Sequence, residues 1–197
     1  MPWRGSPRRA VRVQLEKEFA VAAPPETVYG AILDIPSVAG CLPGATVGEA
    51  SGDGGYLATI AVRIGPVHLS YGGTVRVAAR DDAARSATFR ADAQERHGHG
   101  AAQADIVLRV SPDGASGSAA DLRMEMEITG RGAQMGQGIL HDVAVSLIDE
   151  FAGCLSARLS GPEGSRRAAA EHQAEISAIP LVLHALESRM KHLFRRS

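Results

Sequence analysis

The stretch that most constrains this chain is VRIGPVHLSYGGTVRV at Val62–Val77, two alternating runs joined by a tight Gly65-Pro66 bend. On both sides every second residue is apolar: Ile60, Val62 and Ile64 before the bend, then Leu69, Tyr71, Val75 and Val77 after it. A period of two is that of strands with one face buried. Downstream, ITGRGAQMGQGIL at Ile128–Leu140 closes a further strand, passes Gly130, Gly132, Gly136 and Gly138, and enters a long helical pattern. The expected class is therefore α+β. A curved antiparallel sheet is followed by one long C-terminal helix, and an apolar ligand can lie between them.

The rest of the chain fills in about seven strands. Val13–Val21 alternates Val13, Leu15, Phe19 and Val21 against Gln14, Glu16 and Glu18. Ala22-Ala-Pro-Pro-Glu starts a helix, because Pro25 suits a first turn and Glu26 the positive helix end. Asp34-Ile-Pro36 breaks it, and a second short helix reaches Cys41. Pro43-Gly44 turns into strand two, Ala45–Ala50, and Ser51–Gly55 is a hairpin turn by composition. Strands three and four flank Gly65-Pro66. Strand five runs from the Arg80–Arg85 turn to about Gln94, with His97–Gly100 read as a loop. Strand six spans about Ala102–Val110 and strand seven Asp121–Thr129. A helical stripe of Leu140, Val143, Leu147, Phe151, Cys154 and Leu155 then extends from Ile139 to about Leu159.

Parity selects the side chains that face the helix. The candidate ligand-facing residues are Ile60, Val62, Leu69, Tyr71, Gly73, Val75, Phe89, Ala91, Ile106, Leu108, Met124 and Met126 on strands. Met135 joins them from the Gly-rich connection, and Leu140, Val143 and Leu147 from the helix. No charged residue or histidine belongs to the inward sets except Lys17 of strand one, expected near an edge or mouth. Many inward residues are small, so the sheet can leave a void. Gly73 and Ala91 are the positions where a larger side chain is expected to fill it. The methionines suit an adaptable apolar surface. The alternative is a fully packed core built of small residues.

Chemistry-bearing residues are few. Cys41 and Cys154 are far apart in sequence and read as two separate thiols, not a disulfide framework or a metal site. Cys41 has no histidine near it in sequence, so no catalytic residue is assigned. Glu95, His97 and His99 share a face if extended, but their Gly-rich setting reads as a solvated loop, and no metal site is assigned. Asp142, Asp149 and Glu150 read as the wet face of the long helix. The glycines at 130–138 lack the lysine and hydroxyl of a phosphate loop. They fit a flexible connection at the cavity mouth.

Charge divides the chain. Met1–Arg12 carries +4, Gly161–Ser197 carries +2, and Val13–Ser160 has 11 bases against 18 acids, or −7. An acidic body argues against nucleic acid as a partner, whereas basic ends suit an anionic membrane or an acidic protein. Residues 1–12 read as a basic arm, 13–160 as the folded domain and 161–175 as a linker of Gly, Ala, Ser and charge. Residues 176–197 read as an amphipathic helix. Its candidate membrane-binding residues are Ile179, Leu183, Leu186, Met190, Lys191, Leu193, Phe194, Arg195 and Arg196. Docking on a partner protein, packing back on its own domain and pairing as a coiled coil are the alternatives. No stretch reaches the roughly 20 apolar residues of a membrane span. The N-terminus lacks the apolar core of a secretory signal.

Taken in order, CLPGA at Cys41–Ala45, the Gly65-Pro66-Val67 bend and Ala133-Gln134-Met135-Gly136 resemble the carbon monoxide dehydrogenase G-subunit family. That family belongs to the START-like (SRPBCC, helix-grip) superfamily, and the resemblance covers roughly Val13 to Leu159. It implies a helix-grip fold with two small helices in the crossover between strands one and two. It also implies an accessory protein, not the redox enzyme itself. Such a protein would carry an isoprenoid quinone or lipid and no covalent cofactor. Its partner would be a molybdenum-containing, carbon monoxide dehydrogenase-type hydroxylase at the inner face of the cytoplasmic membrane. The chain departs from some relatives at its tail, which is amphipathic where theirs look more hydrophobic. Two readings from other classes stand beside this one: a START-superfamily cyclase- or hydrolase-like enzyme on a small hydrophobic substrate, and a pure interaction scaffold.

Overall fold

A computed structural model describes residues 10–52, 54–98 and 100–160. The linker, the amphipathic helix with its nine candidate membrane residues, and most of the basic arm lie outside the described residues. Seven strands form one antiparallel sheet in the order β1-β7-β6-β5-β4-β3-β2. They are β1 (Val11–Val21), β2 (Ala45–Ala50), β3 (Tyr56–Ile64), β4 (Val67–Asp81), β5 (Ser86–Glu95), β6 (Ala101–Asp113) and β7 (Gly117–Ile128). All neighbours from β2 to β7 are consecutive hairpins. Only β1 crosses over, through α1 (Pro25–Leu33) and α2 (Ile35–Ala39), to pair with β7 at the opposite edge from β2. After β7 a short 3-10 helix, Gly132–Met135, leads into α3 (Gln137–Leu159).

The two-residue bend at Gly65-Pro66 pairs Ile64 with Val67, so Ile60 opposes Tyr71 and Val62 opposes Leu69. The apolar parity of the two strands is thereby locked onto one face. Curvature comes from irregularities in β2, between Val47 and Ala50, and in β4, between Val77 and Ala79. An extra residue bends its strand and adds twist. Gly73 allows the closest approach within the sheet. A Cβ there would collide with the Asp92 carbonyl oxygen and lie 2.6 Å from Ala93 Cα. The expectation that a large side chain at Gly73 fills the void is thus overturned: the missing side chain makes room for β5 backbone, not for ligand.

Three strand ends differ from the expected ones. β6 runs on to Asp113 and β7 begins at Gly117, because hairpin pairing continues through Pro112↔Ser118. β5 includes Glu95, whose N–H donates to the Gly100 carbonyl at 2.9 Å. The loop therefore starts one residue later than composition suggests, and Glu95 takes the inward parity of Ala91 and Ala93.

The helix α3 packs chiefly against β1. Its buried residues are Leu140, Ala144, Ile148, Ala152 and Leu155. Leu140, Ala144, Ile148 and Leu155 join Val13, Leu15, Leu122 and Val28 in the main core cluster. Lys17, on edge strand β1, meets Asp149 of α3 at 2.5 Å, so Asp149 ties helix to sheet instead of lying only on a wet face. The other end of α3 is held by α2 and the turn after it. Arg158 Nη1 donates to the Ser37 carbonyl at 2.6 Å, and Cys41 is disulfide-bonded to Cys154, with Cα atoms 5.3 Å apart. The two cysteines are therefore one cross-link and not the two separate thiols expected from their spacing. The sequence separation of 113 residues is spanned mostly by the sheet, and its closure returns α3 to the turn that begins it.

Candidate ligand-binding site

Because α3 leans on the β1 edge, the half of the sheet formed by β3, β4 and β5 curves away from it. The gap is a cavity of about 350 Å³, roofed by α2, the following turn and α3. That lies within the range of small-molecule sites, roughly 300–1,000 Å³. Fifteen of the sixteen candidate ligand-facing residues line it, from Ile60 and Val62 through Met124 and Met126 to Leu140, Val143 and Leu147. Met135 does not. It sits on the 3-10 helix and packs against the core from outside the cavity. Sequence parity missed the roof: Ile35, Val38, Ala39 and Leu42 also line the cavity. Their signal was present in the apolar spacing of α2, but nothing in a five-residue helix says which element it covers.

Two apolar faces of α3 have separate roles. Leu140, Ala144 and Ile148 are buried, whereas Val143, Leu147 and Phe151 are only half-buried and face the cavity. On β3, Ile60, Val62 and Ile64 are half-buried in the same way. A packed core would leave such side chains fully covered, so this surface is open to a visitor. No Asp, Glu, His, Lys or Arg occurs among the described residues that line the cavity.

Polar groups gather at one end. Tyr71 lines the cavity and pairs with Glu95 across β4 and β5. Both are 5% exposed, and neither Tyr71 Oη nor Glu95 Oε2 has a hydrogen-bond partner. Glu95 Oε1 lies 3.6 Å from Arg131 Nη1. Burial, and after it the charge of Glu95, raises the Tyr71 hydroxyl above its ordinary pKa. His97 is exposed while Glu95 turns inward, and His99 lies outside the described residues. Groups of three or more potential metal-ligating side chains are absent among the described residues. Likewise, no described helix is long and apolar enough to cross a membrane.

The profile of the family described as the carbon monoxide dehydrogenase G subunit (CoxG) matches residues 18–160. No curated protein sequence matches the chain. Among solved structures, a conserved protein from Geobacillus kaustophilus superposes with TM-score 0.66 at 18% identity, covering 76% of this chain and 95% of that one. The Zhui aromatase/cyclase from Streptomyces sp. R1128 gives 0.53 at 15%, over 77% and 98%. A START superfamily protein from Mycobacterium smegmatis gives 0.51 at 16%, over 74% and 96%. At these identities the likeness is one of fold, and the fold is START-like, the helix-grip arrangement expected from the sequence.

Proposed function

This chain belongs to the carbon monoxide dehydrogenase G-subunit family, and from that membership and its cavity we propose that it is an accessory carrier of an apolar molecule, an isoprenoid quinone or a lipid. It serves a molybdenum-containing, carbon monoxide dehydrogenase-type oxidoreductase at the inner face of the cytoplasmic membrane. The observation that carries the reading is the cavity itself: about 350 Å³ between sheet and helix, with a lining of aliphatic, small, aromatic and methionine residues and no charge. An apolar surface of that kind holds an apolar guest by removing it from water, at about 25 cal/mol per Å² buried. The amphipathic tail supports the membrane half of the reading through its sequence, since its apolar stripe and basic end match an interfacial helix.

Vesicle extraction tests the proposal. Delipidated protein is incubated with vesicles holding a long-chain quinone, separated from them and analysed for quinone. A carrier leaves with close to one quinone per chain. Quinone that stays wholly with the vesicles contradicts the reading.

The enzymatic alternative draws on one observation, the buried Glu95 beside Tyr71. Acid–base catalysis needs a group within hydrogen-bond reach of the substrate. A turnover abolished by Glu95→Gln while cavity variants retained it would favour that reading over a carrier.

A further inference from the structure

Two polar atoms at the closed end of the cavity stand out because the surroundings do nothing to satisfy them. Tyr71 Oη lies beneath the 3-10 helix, where a Cβ on Gly132 would sit 2.5 Å from it and 2.7 Å from Ile128 Cγ2. Glu95 Oε2 lies beneath the next loop, where a Cβ on Gly98 would sit 2.5 Å from it and one on Gly100 3.2 Å. Glycines thus stand wherever a side chain would press on either oxygen. Buried polar groups are nearly always paired, and an orphan calls for an explanation. Here two orphans face the same end of one apolar cavity, on residues paired across adjacent strands.

Their chemistry specifies the missing partner. A carboxylate only accepts hydrogen bonds, so Glu95 Oε2 needs a donor. The Tyr71 hydroxyl, held neutral by burial and by the Glu95 charge, can donate. A hydroxyl satisfies both at once, donating its hydrogen to the carboxylate and accepting from the tyrosine.

We propose that Tyr71 and Glu95 form a polar clamp that selects, among apolar guests, those ending in a hydroxyl: a phenol, an alcohol, or a hydroquinone in preference to its quinone. The clamp rests on the carrier reading and adds to it the chemical class of the guest. A quinone head offers only acceptors, leaving Glu95 Oε2 unpaired. A hydroquinone brings the donor. Arg131, 51% exposed at its side chain, balances the carboxylate from the solvent side.

A matched probe series tests the clamp: dodecylphenol, dodecylanisole and dodecylbenzene share a tail and differ only at the head. Their affinities for the full chain are read by displacement of an environment-sensitive apolar dye. The phenol is expected to bind about ten- to a hundredfold tighter than the ether or the hydrocarbon. Tyr71→Phe and Glu95→Gln should each reduce that preference severalfold while dodecylbenzene affinity holds. Equal affinities across the series in the unaltered protein overturn the clamp but leave the carrier reading standing. That outcome also follows if water, not a guest, joins the two groups. If no probe displaces the dye, the clamp and the carrier reading fail together. The wild-type series decides the question even if Glu95→Gln fails to fold, and Tyr71→Phe keeps the ring in its place.

Discussion

Ala91→Leu separates an open cavity from a filled core. Ala91 lies at the centre of the sheet, opposite Val75 on β4 and Ala104 on β6, and all three line the cavity. The substitution adds three carbons. At about 0.8 kcal/mol per buried methylene the transfer gain is at most roughly 2.4 kcal/mol. Fixing the leucine rotamer costs about 0.5–1 kcal/mol, leaving a net stabilisation of about 1.5 kcal/mol in the ligand-free protein. For a domain of this size that corresponds to roughly 3–6 °C in melting temperature. The same side chain occupies guest volume, so affinity for an apolar dye should fall at least severalfold. Melting curves of delipidated wild type and variant, run with dye titrations, supply both readings. In a packed site the added carbons would instead cost roughly 1–3 kcal/mol. A lowered melting temperature with unchanged dye affinity would therefore refute the cavity argument.

Gly73→Ala should behave in the opposite way, destabilising by roughly 2–4 kcal/mol, because its Cβ meets the Asp92 carbonyl and β4 must part from β5; a chemical denaturation midpoint equal to wild type would contradict the pairing of Gly73 with Ala93. Cys154→Ser removes a link between residues 113 apart and should cost about 2–4 kcal/mol, and alkylation of freshly lysed cells followed by intact mass should find both thiols blocked against the reagent. Stability should decline in alkali. Tyr71 keeps its proton in the fold beyond the ordinary value of 10.0, so its contribution is fully present below that value; above it the unfolded chain ionises first, and stability is lost as pH rises toward and through the folded value. Tyr71→Phe should flatten the melting-temperature slope across the alkaline range around that ordinary value, and identical slopes would remove Tyr71 from the account.

Much of this fold was legible because a period of two carries its own orientation. Once Gly65-Pro66 placed β3 beside β4, Ile60, Val62, Leu69 and Tyr71 had to share a face. The family's short segments supplied the helix-grip arrangement that periodicity alone cannot reach. What escaped was long-range. The pairing of Cys41 with Cys154 depends on where α3 ends relative to α2, and no local pattern encodes that meeting. Glu95 was one step from recognition: Ala87, Phe89, Ala91 and Ala93 point straight to it. A charged residue beside His97-Gly98 nevertheless reads as a loop until its backbone hydrogen bond to Gly100 is seen. Met135 failed for the converse reason. A methionine amid glycines looks available, but on the 3-10 helix it packs against the core outside the cavity lining.

The central claim is that the space between sheet and α3 belongs to an apolar guest. Native mass spectrometry of protein purified without detergent, followed by organic extraction of the same sample, addresses it directly. The account predicts a single bound species near one per chain, released into the organic phase, hydroxylated, and much reduced in Ala91→Leu. A chain of apoprotein mass from which nothing is extracted, before and after incubation with membranes, would contradict it.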